Sequence, residues 1–139
     1  MKVVLNYNEN LHFTANVRHF SNIHIDEPES FHGTDLGPSS VEYVLIGIGG
    51  CLGTTFFYCL KRNNILINNI EIIVDGTLKH TEPKKRLRLV RIDVEIFVDF
   101  KEKVPNEKIE LCKTVFQDYC PLSNLITQGL PLNIRISEK

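Results

Sequence analysis

The sequence predicts an α+β fold, and three observations carry that prediction. Short alternating segments fill the N-terminal quarter, a period-2 run occupies residues 90–100, and an uncharged segment from Tyr43 to Leu60 has helical length. Hairpin patterns interleaved with helical ones favour antiparallel sheets with segregated helices over a wound parallel sheet.

Taken in order, Lys2 to Tyr7, Leu11 to Val17 and Ser21 to Asp26 read as a three-strand meander, broken at Asn8-Glu9-Asn10 and Arg18-His19-Phe20. Residues 27–36 are polar and form a loop. Gly37-Pro38-Ser39-Ser40 then opens a helix, with Ser39 or Ser40 as the N-cap oxygen, and Asn63-Asn64 closes it. Ile70, Ile72 and Val74 share one face of a strand, with Glu71 and Asp75 on the other. From Val90 to Phe100 apolar residues alternate with Arg91, Asp93, Glu95 and Asp99, so one face is buried and one is wet. The connection from Gly76 to Lys85 reads as a long hairpin loop. Leu87 and Leu89 fall out of phase with Val90 onward, which predicts an irregularity there. Pro105 opens a second helix with an apolar stripe of Ile109, Cys112, Phe116 and Tyr119. A short third helix follows Cys120-Pro121 and runs to Gln128, and Leu132 to Ser137 reads as a closing strand.

The chain has 139 residues, 42% of them hydrophobic and 24% charged, with a formal net charge of -1. That length suits a single domain, residues 1–139, with its own core. Neutral balance argues against a nucleic-acid binder. The run Lys79 to Arg91 holds Lys84, Lys85, Arg86, Arg88 and Arg91 but no aromatics for base stacking, and it reads as a solvated hairpin tip. The uncharged segment just reaches the length of a membrane span, yet four glycines and two threonines dilute it, so it reads as a core helix. The N-terminus lacks an export pattern, which places the protein in the cytoplasm, where thiols are seldom in structural disulfides.

Two cysteines draw attention. Cys51 sits mid-helix in Gly49-Gly50-Cys51-Leu52-Gly53, where missing side-chain bulk lets a substrate or backbone approach the thiol. Cys120 precedes Pro121, a residue favoured at the first helical position, so Cys120 falls at an N-cap, where unpaired N–H groups favour thiolate. On chemistry alone each is either a reactive thiol or a small buried hydrophobe. Cys112 and Cys59 read as core residues. The chain has no Cys-x-x-Cys pair, and its five His are scattered, so no metal site is expected. Gly47-Ile48-Gly49-Gly50-Cys51-Leu52-Gly53, with Asp75 further on, also raises a dinucleotide-binding turn, although the spacing is Gly-x-Gly-x-x-x-Gly.

Gly37-Pro38-Ser39-Ser40-Val41-Glu42-Tyr43-Val44-Leu45 leading into Gly49-Gly50-Cys51 resembles the start of the central helix in the OsmC/Ohr family, the osmotically inducible and organic hydroperoxide resistance proteins. Tyr119-Cys120-Pro121-Leu122-Ser123-Asn124 is similar to that family's second cysteine motif, Cys-Pro-(Val/Leu)-Ser. The resemblance runs from Leu11 to Ile136 and follows a less characterised, OsmC-like branch, because Glu42 stands one position later than in the hydroperoxide-resistance branch, where this chain has Val41.

The resemblance implies an OsmC-like α+β fold, antiparallel sheets with two central helices, assembled as an intertwined homodimer. It implies a thiol peroxidase that reduces organic hydroperoxides, and hydrogen peroxide as well, with no cofactor. By that analogy Cys51 is the peroxidatic thiol and Cys120 the resolving one, while Arg18 and Glu42 orient the thiolate. Cys51 would become a sulfenic acid, Cys120 would condense with it to a disulfide, and an external dithiol would reduce the bridge. Phe56, Phe57 or Tyr58 would form apolar walls for an organic peroxide. Glu42 and Cys51 are nine residues apart, about 180° round a helix, so contact between them would involve the partner subunit. A non-catalytic dimer or thiol sensor of the same fold, and a dinucleotide-binding protein, are the alternatives.

Overall fold

The structure is a computed structural model. It describes residues 1–136, and of Val115, Phe116 and Gln117 the backbone only. The elements are β1 (Val4–Glu9), β2 (His12–Val17), β3 (Phe20–Ile25), a 3-10 turn (Glu29–Phe31), α1 (Ser40–Arg62), β4 (Ile67–Thr81), β5 (Arg86–Phe100), α2 (Asn106–Tyr119) and α3 (Pro121–Gln128). This is the α+β architecture the sequence predicts. The residues group into two compact units: 1–46 with 76–92, and 47–75 with 93 onward.

In the first unit β1, β2 and β3 form an antiparallel sheet in that order. Leu5 pairs with Ala15, Tyr7 with Phe13, and Thr14 with His24. The two tight turns place Asn10 (φ 53) and Arg18 (φ 54) in the left-handed region. After β3 the chain folds around Asp26, which is fully buried. Its carboxylate accepts the amides of Glu27, Thr34 and Leu36 at 2.8, 3.1 and 3.2 Å, together with the Thr34 hydroxyl. One buried charge thereby satisfies the loop's backbone donors. Those bonds hold the Asp26 carboxyl below its ordinary value of 3.8: the Thr34 hydroxyl contributes most, and burial opposes it.

Helix α1 begins with reciprocal capping. The Ser39 hydroxyl accepts the Glu42 amide at 3.3 Å, while Glu42 Oε2 accepts the Ser39 amide and hydroxyl at 2.7 and 2.8 Å. The Tyr43 hydroxyl donates to the His24 carbonyl at 2.7 Å and ties the helix start to β3. The helix ends where Asn64 turns left-handed (φ 55) and the Ile65 amide returns to the Leu60 carbonyl at 3.0 Å.

In the second unit α1 packs Phe56, Cys59 and Leu60 into a cluster with Ile65 and Cys112, flanked by Ile67, Ile70, Ile96, Val98 and Phe100. Burying Leu60 alone contributes about 2 kcal/mol of transfer free energy. The glycines of α1 are explained by close approach to β4. A Cβ on Gly49 would lie 2.9 Å from Val74 Cγ2, and one on Gly53 would meet Ile72 Cδ1. Gly47 to Gly53 all lie inside the helix, where their backbone groups serve the i→i−4 ladder. That removes the dinucleotide alternative, which needs a strand, a glycine turn and then a helix start.

The structure corrects some further expectations and meets others. Strand β4 continues through Gly76 to Thr81, so the loop to β5 is only residues 82–85. Leu89 and Ile92 are both half-buried, with Val90 and Arg91 exposed between them, so the alternation breaks where an irregularity was expected. Residues Leu132 to Ile136 form no strand, and Ser137 lies outside the described residues. Of the α2 stripe, Cys112 is buried, Ile109 is half-buried and Tyr119 is exposed, while the Phe116 side chain lies outside the description. Helix α1 is long and apolar enough to cross a membrane by length and composition. Its buried residues, Ile48, Leu52, Phe56 and Leu60 among them, mark a core-facing stripe, whereas Val44, Ile46 and Phe57 are exposed.

Candidate functional site

Cys51 lies in the middle of α1 and Cys120 in the joint between α2 and α3. Cys120 has extended geometry (φ -78, ψ 112), and Pro121 behind it starts α3. Proline cannot continue α2 but suits a first helical position, so the Cys-Pro pair ends one helix and starts the next, with Cys120 at the N-cap position and no capping bond from its side chain. The two sulfur atoms, 69 residues apart in sequence, stand 2.7 Å apart. Both are free thiols, with Cys51 half-buried and Cys120 only 1% exposed.

The two sulfurs differ in what faces them. Burial raises the Cys51 thiol above its ordinary value, and the hydrogen bond to Cys120 adds to the rise, opposed weakly by the Leu122 amide and the Thr55 hydroxyl. Burial would also raise Cys120. Hydrogen bonds from Cys51, from the Ser123 hydroxyl and from the Ser123 and Leu122 amides outweigh it and bring that thiol down. These amides belong to the first turn of α3, where N–H groups lack helical partners and favour an anion. Cys120 is therefore the lower of the two thiols and Cys51 the higher.

Two of the four residues singled out from sequence are thus brought together. The other two belong to the first unit and have other partners. Arg18 sits in the β2–β3 turn with its guanidinium 5.2 Å from the centre of the Phe20 ring. The Glu42 carboxylate is occupied by Ser39 in the helix cap, which holds it below its ordinary value through the Ser39 amide first and the hydroxyl second. The signal for this cap, Ser-x-x-Glu before an apolar run, stands in the sequence.

The remaining cysteines are paired. Cys59 of α1 and Cys112 of α2 form a disulfide with a Cα–Cα distance of 5.5 Å, and it corrects the reading of both as unpaired core thiols. They are buried as expected, but partners 53 positions apart leave no local mark in sequence. The Asn63 amide group donates to the Cys59 carbonyl at 2.9 Å and lies 3.5 and 3.8 Å from the two sulfurs.

A cavity of about 690 Å³ lies between α1 and α2, bordered by Thr55, Tyr58, Arg62, Leu111 and Tyr119. Thr55 is one turn beyond Cys51 and Tyr119 directly precedes Cys120, so its lining residues adjoin both thiols along the chain. A second, apolar cavity of about 370 Å³ is lined by Leu52, Phe56 and the inner face of β5. Of the three aromatic walls expected, Phe56 and Tyr58 line these two spaces and Phe57 lines another. Among the described residues, no group of three or more His, Cys, Asp or Glu could hold a metal ion. Lys84, Arg86 and Arg88 stand exposed at the hairpin tip.

A fold with this order of elements and a thiol pair spanning the central helix and a Cys-Pro joint defines a class of α+β redox-competent domains. The profile described as OsmC-like protein matches residues 33–135, and the chain belongs to that family. No curated protein sequence matches it. Among solved structures it is similar to an OsmC-like protein of unknown function from Vibrio cholerae (11% identity, 91% of this chain and 92% of that one, TM-score 0.79). An OsmC-like protein from Mycoplasma pneumoniae is similar as well (19% identity, 98% and 94%, TM-score 0.75). So is the organic hydroperoxide resistance protein OhrB of Bacillus subtilis (20% identity, 92% and 90%, TM-score 0.60).

Proposed function

We propose that the protein is a thiol peroxidase that reduces organic hydroperoxides through Cys51 and Cys120. The carrying observation is the 2.7 Å separation of the two sulfurs. Family membership and the fold shared with an organic hydroperoxide resistance protein support the reading. Cys51, the less buried of the two residues, attacks one peroxide oxygen and the O–O bond breaks. In this reading Cys120, the lower of the two thiols, is the thiolate; it takes the Cys51 proton and passes it to the departing alkoxide. The products are an alcohol and Cys51 sulfenic acid, and Cys120 is again a thiolate. It then attacks the Cys51 sulfur, a disulfide forms and hydroxide leaves. An external dithiol returns both cysteines to the reduced state.

In this reading the protein acts in the cytoplasm as a homodimer of single OsmC-like domains. The exposed apolar side chains Val44, Ile46 and Phe57 on α1 support pairing, and a family match crossing both compact units supports one domain. Arg18 and Glu42 orient the thiolate from across the pairing. The test is to mix reduced protein with an alkyl hydroperoxide and follow peroxide loss and cysteine state by mass spectrometry. The wild type forms the Cys51–Cys120 bridge, Cys120→Ser accumulates sulfenic acid, and Cys51→Ser consumes nothing. Continued peroxide loss with Cys51→Ser refutes the assignment. Bridge formation without turnover in the presence of a dithiol makes the protein a thiol sensor instead.

A further inference from the structure

The Cys59–Cys112 bridge and the Cys51–Cys120 contact join the same two stretches of chain. Cys51 and Cys59 are eight positions apart on α1, and Cys112 and Cys120 are eight positions apart along α2 and its end. The two links are therefore successive rungs of one ladder. Among the described side chains of α2, Cys112 alone is buried and Ile109 is half-buried, so the bridge is the deepest described attachment of this helix to α1. We infer that the Cys59–Cys112 disulfide is a positioning clamp for the other pair. It pins α2 to α1 and thereby presents Cys120 to Cys51, and opening it uncouples them. Opening consumes two monothiols, giving two protein thiols and one low-molecular-weight disulfide.

The size of the effect follows from ring closure. With the clamp shut, joining Cys51 to Cys120 closes a ring of about sixteen residues rather than sixty-nine. For a flexible chain, closure probability scales as length to the power −3/2, a factor of about nine. By linkage the same factor applies in reverse, since each bridge favours the other equally.

The inference rests on the peroxidase reading only for its consequence in turnover, and the test makes no use of peroxide. The full chain is equilibrated in glutathione buffers of stepped ratio, and the state of each pair is read by alkylation and mass spectrometry. This gives the effective concentration of Cys120 at Cys51. In the Cys59→Val, Cys112→Ala double variant that value falls about ninefold or more. In the Cys51→Ala, Cys120→Ala variant the effective concentration for Cys59–Cys112 falls by the same factor, and this arm decides the matter if the first variant does not fold. Ala15→Gly, which weakens the N-terminal sheet, leaves the Cys51–Cys120 value within twofold of wild type, and a fall as large as that of the Cys59→Val, Cys112→Ala variant overturns the clamp. A value within twofold of wild type in either bridge variant overturns the clamp. A wild type inert toward peroxide would overturn the peroxidase reading alone.

Discussion

Gly49 and Gly50 are adjacent in one helix, yet alanine at the two positions is expected to act in opposite directions. In a helix interior Gly→Ala stabilises by about 1 kcal/mol, because alanine loses less backbone freedom on folding. At Gly50 nothing in the same chain lies within 4 Å of the added methyl, so the whole gain should appear within the protomer. At Gly49 the methyl comes 2.9 Å from Val74 Cγ2. Valine is stiff about χ1, so the contact is relieved only by shifting α1 from β4. Overpacking of this kind costs about 1–3 kcal/mol, which leaves Gly49→Ala destabilised by about 0–2 kcal/mol overall. The propensity gain is common to both variants, so their difference isolates packing. In urea, with a slope of about 2 kcal/mol/M, the unfolding midpoints should differ by about 0.5–1.5 M. Val74→Ala in the Gly49→Ala background should recover most of the loss, since the two residues touch. If Gly49→Ala raises the midpoint as much as Gly50→Ala does, the close approach of α1 to β4 is not what holds the helix.

Three other predictions follow from the geometry. Asp26 is held below its ordinary value, so its contribution to stability is complete above about pH 4 and fades as pH falls through the folded value. Asp26→Asn should be less stable than wild type at pH 7 in urea titrations, with the gap closing toward pH 2. Ser39→Ala removes the helix cap and should cost about 1 kcal/mol by thermal or urea unfolding, and a neutral result would deny the reciprocal bonding with Glu42. Cys120 helps to keep the Cys51 thiol high, so Cys120→Ser should move the pH profile of Cys51 alkylation to lower pH. A shift to higher pH would mean that Cys120 does not hold the Cys51 thiol up.

Much of this architecture is written locally. The period-2 run from Ile92 to Phe100, the Ser39-x-x-Glu42 cap and the Asn63-Asn64 stop depend on near neighbours, and the elements fall where those signals stand. Strand β4 extends past its apolar run because β5 supplies the pairing that Gly76, Lys79 and His80 do not favour by themselves. Glu42 shows how one residue type can carry two readings: the motif marks it as part of a cysteine site, while its observed bonds are those of a helix cap.

What the amino-acid order determined by itself is the class of fold, the helix carrying Cys51 and the joint carrying Cys120. Only the tertiary structure decided that these sulfurs meet at 2.7 Å, that Cys59 pairs with Cys112, and that Asp26 anchors the loop before α1. Periodicity and capping express interactions over a few residues. The partner of a thiol or a buried carboxylate depends on which distant segments the packed chain brings together.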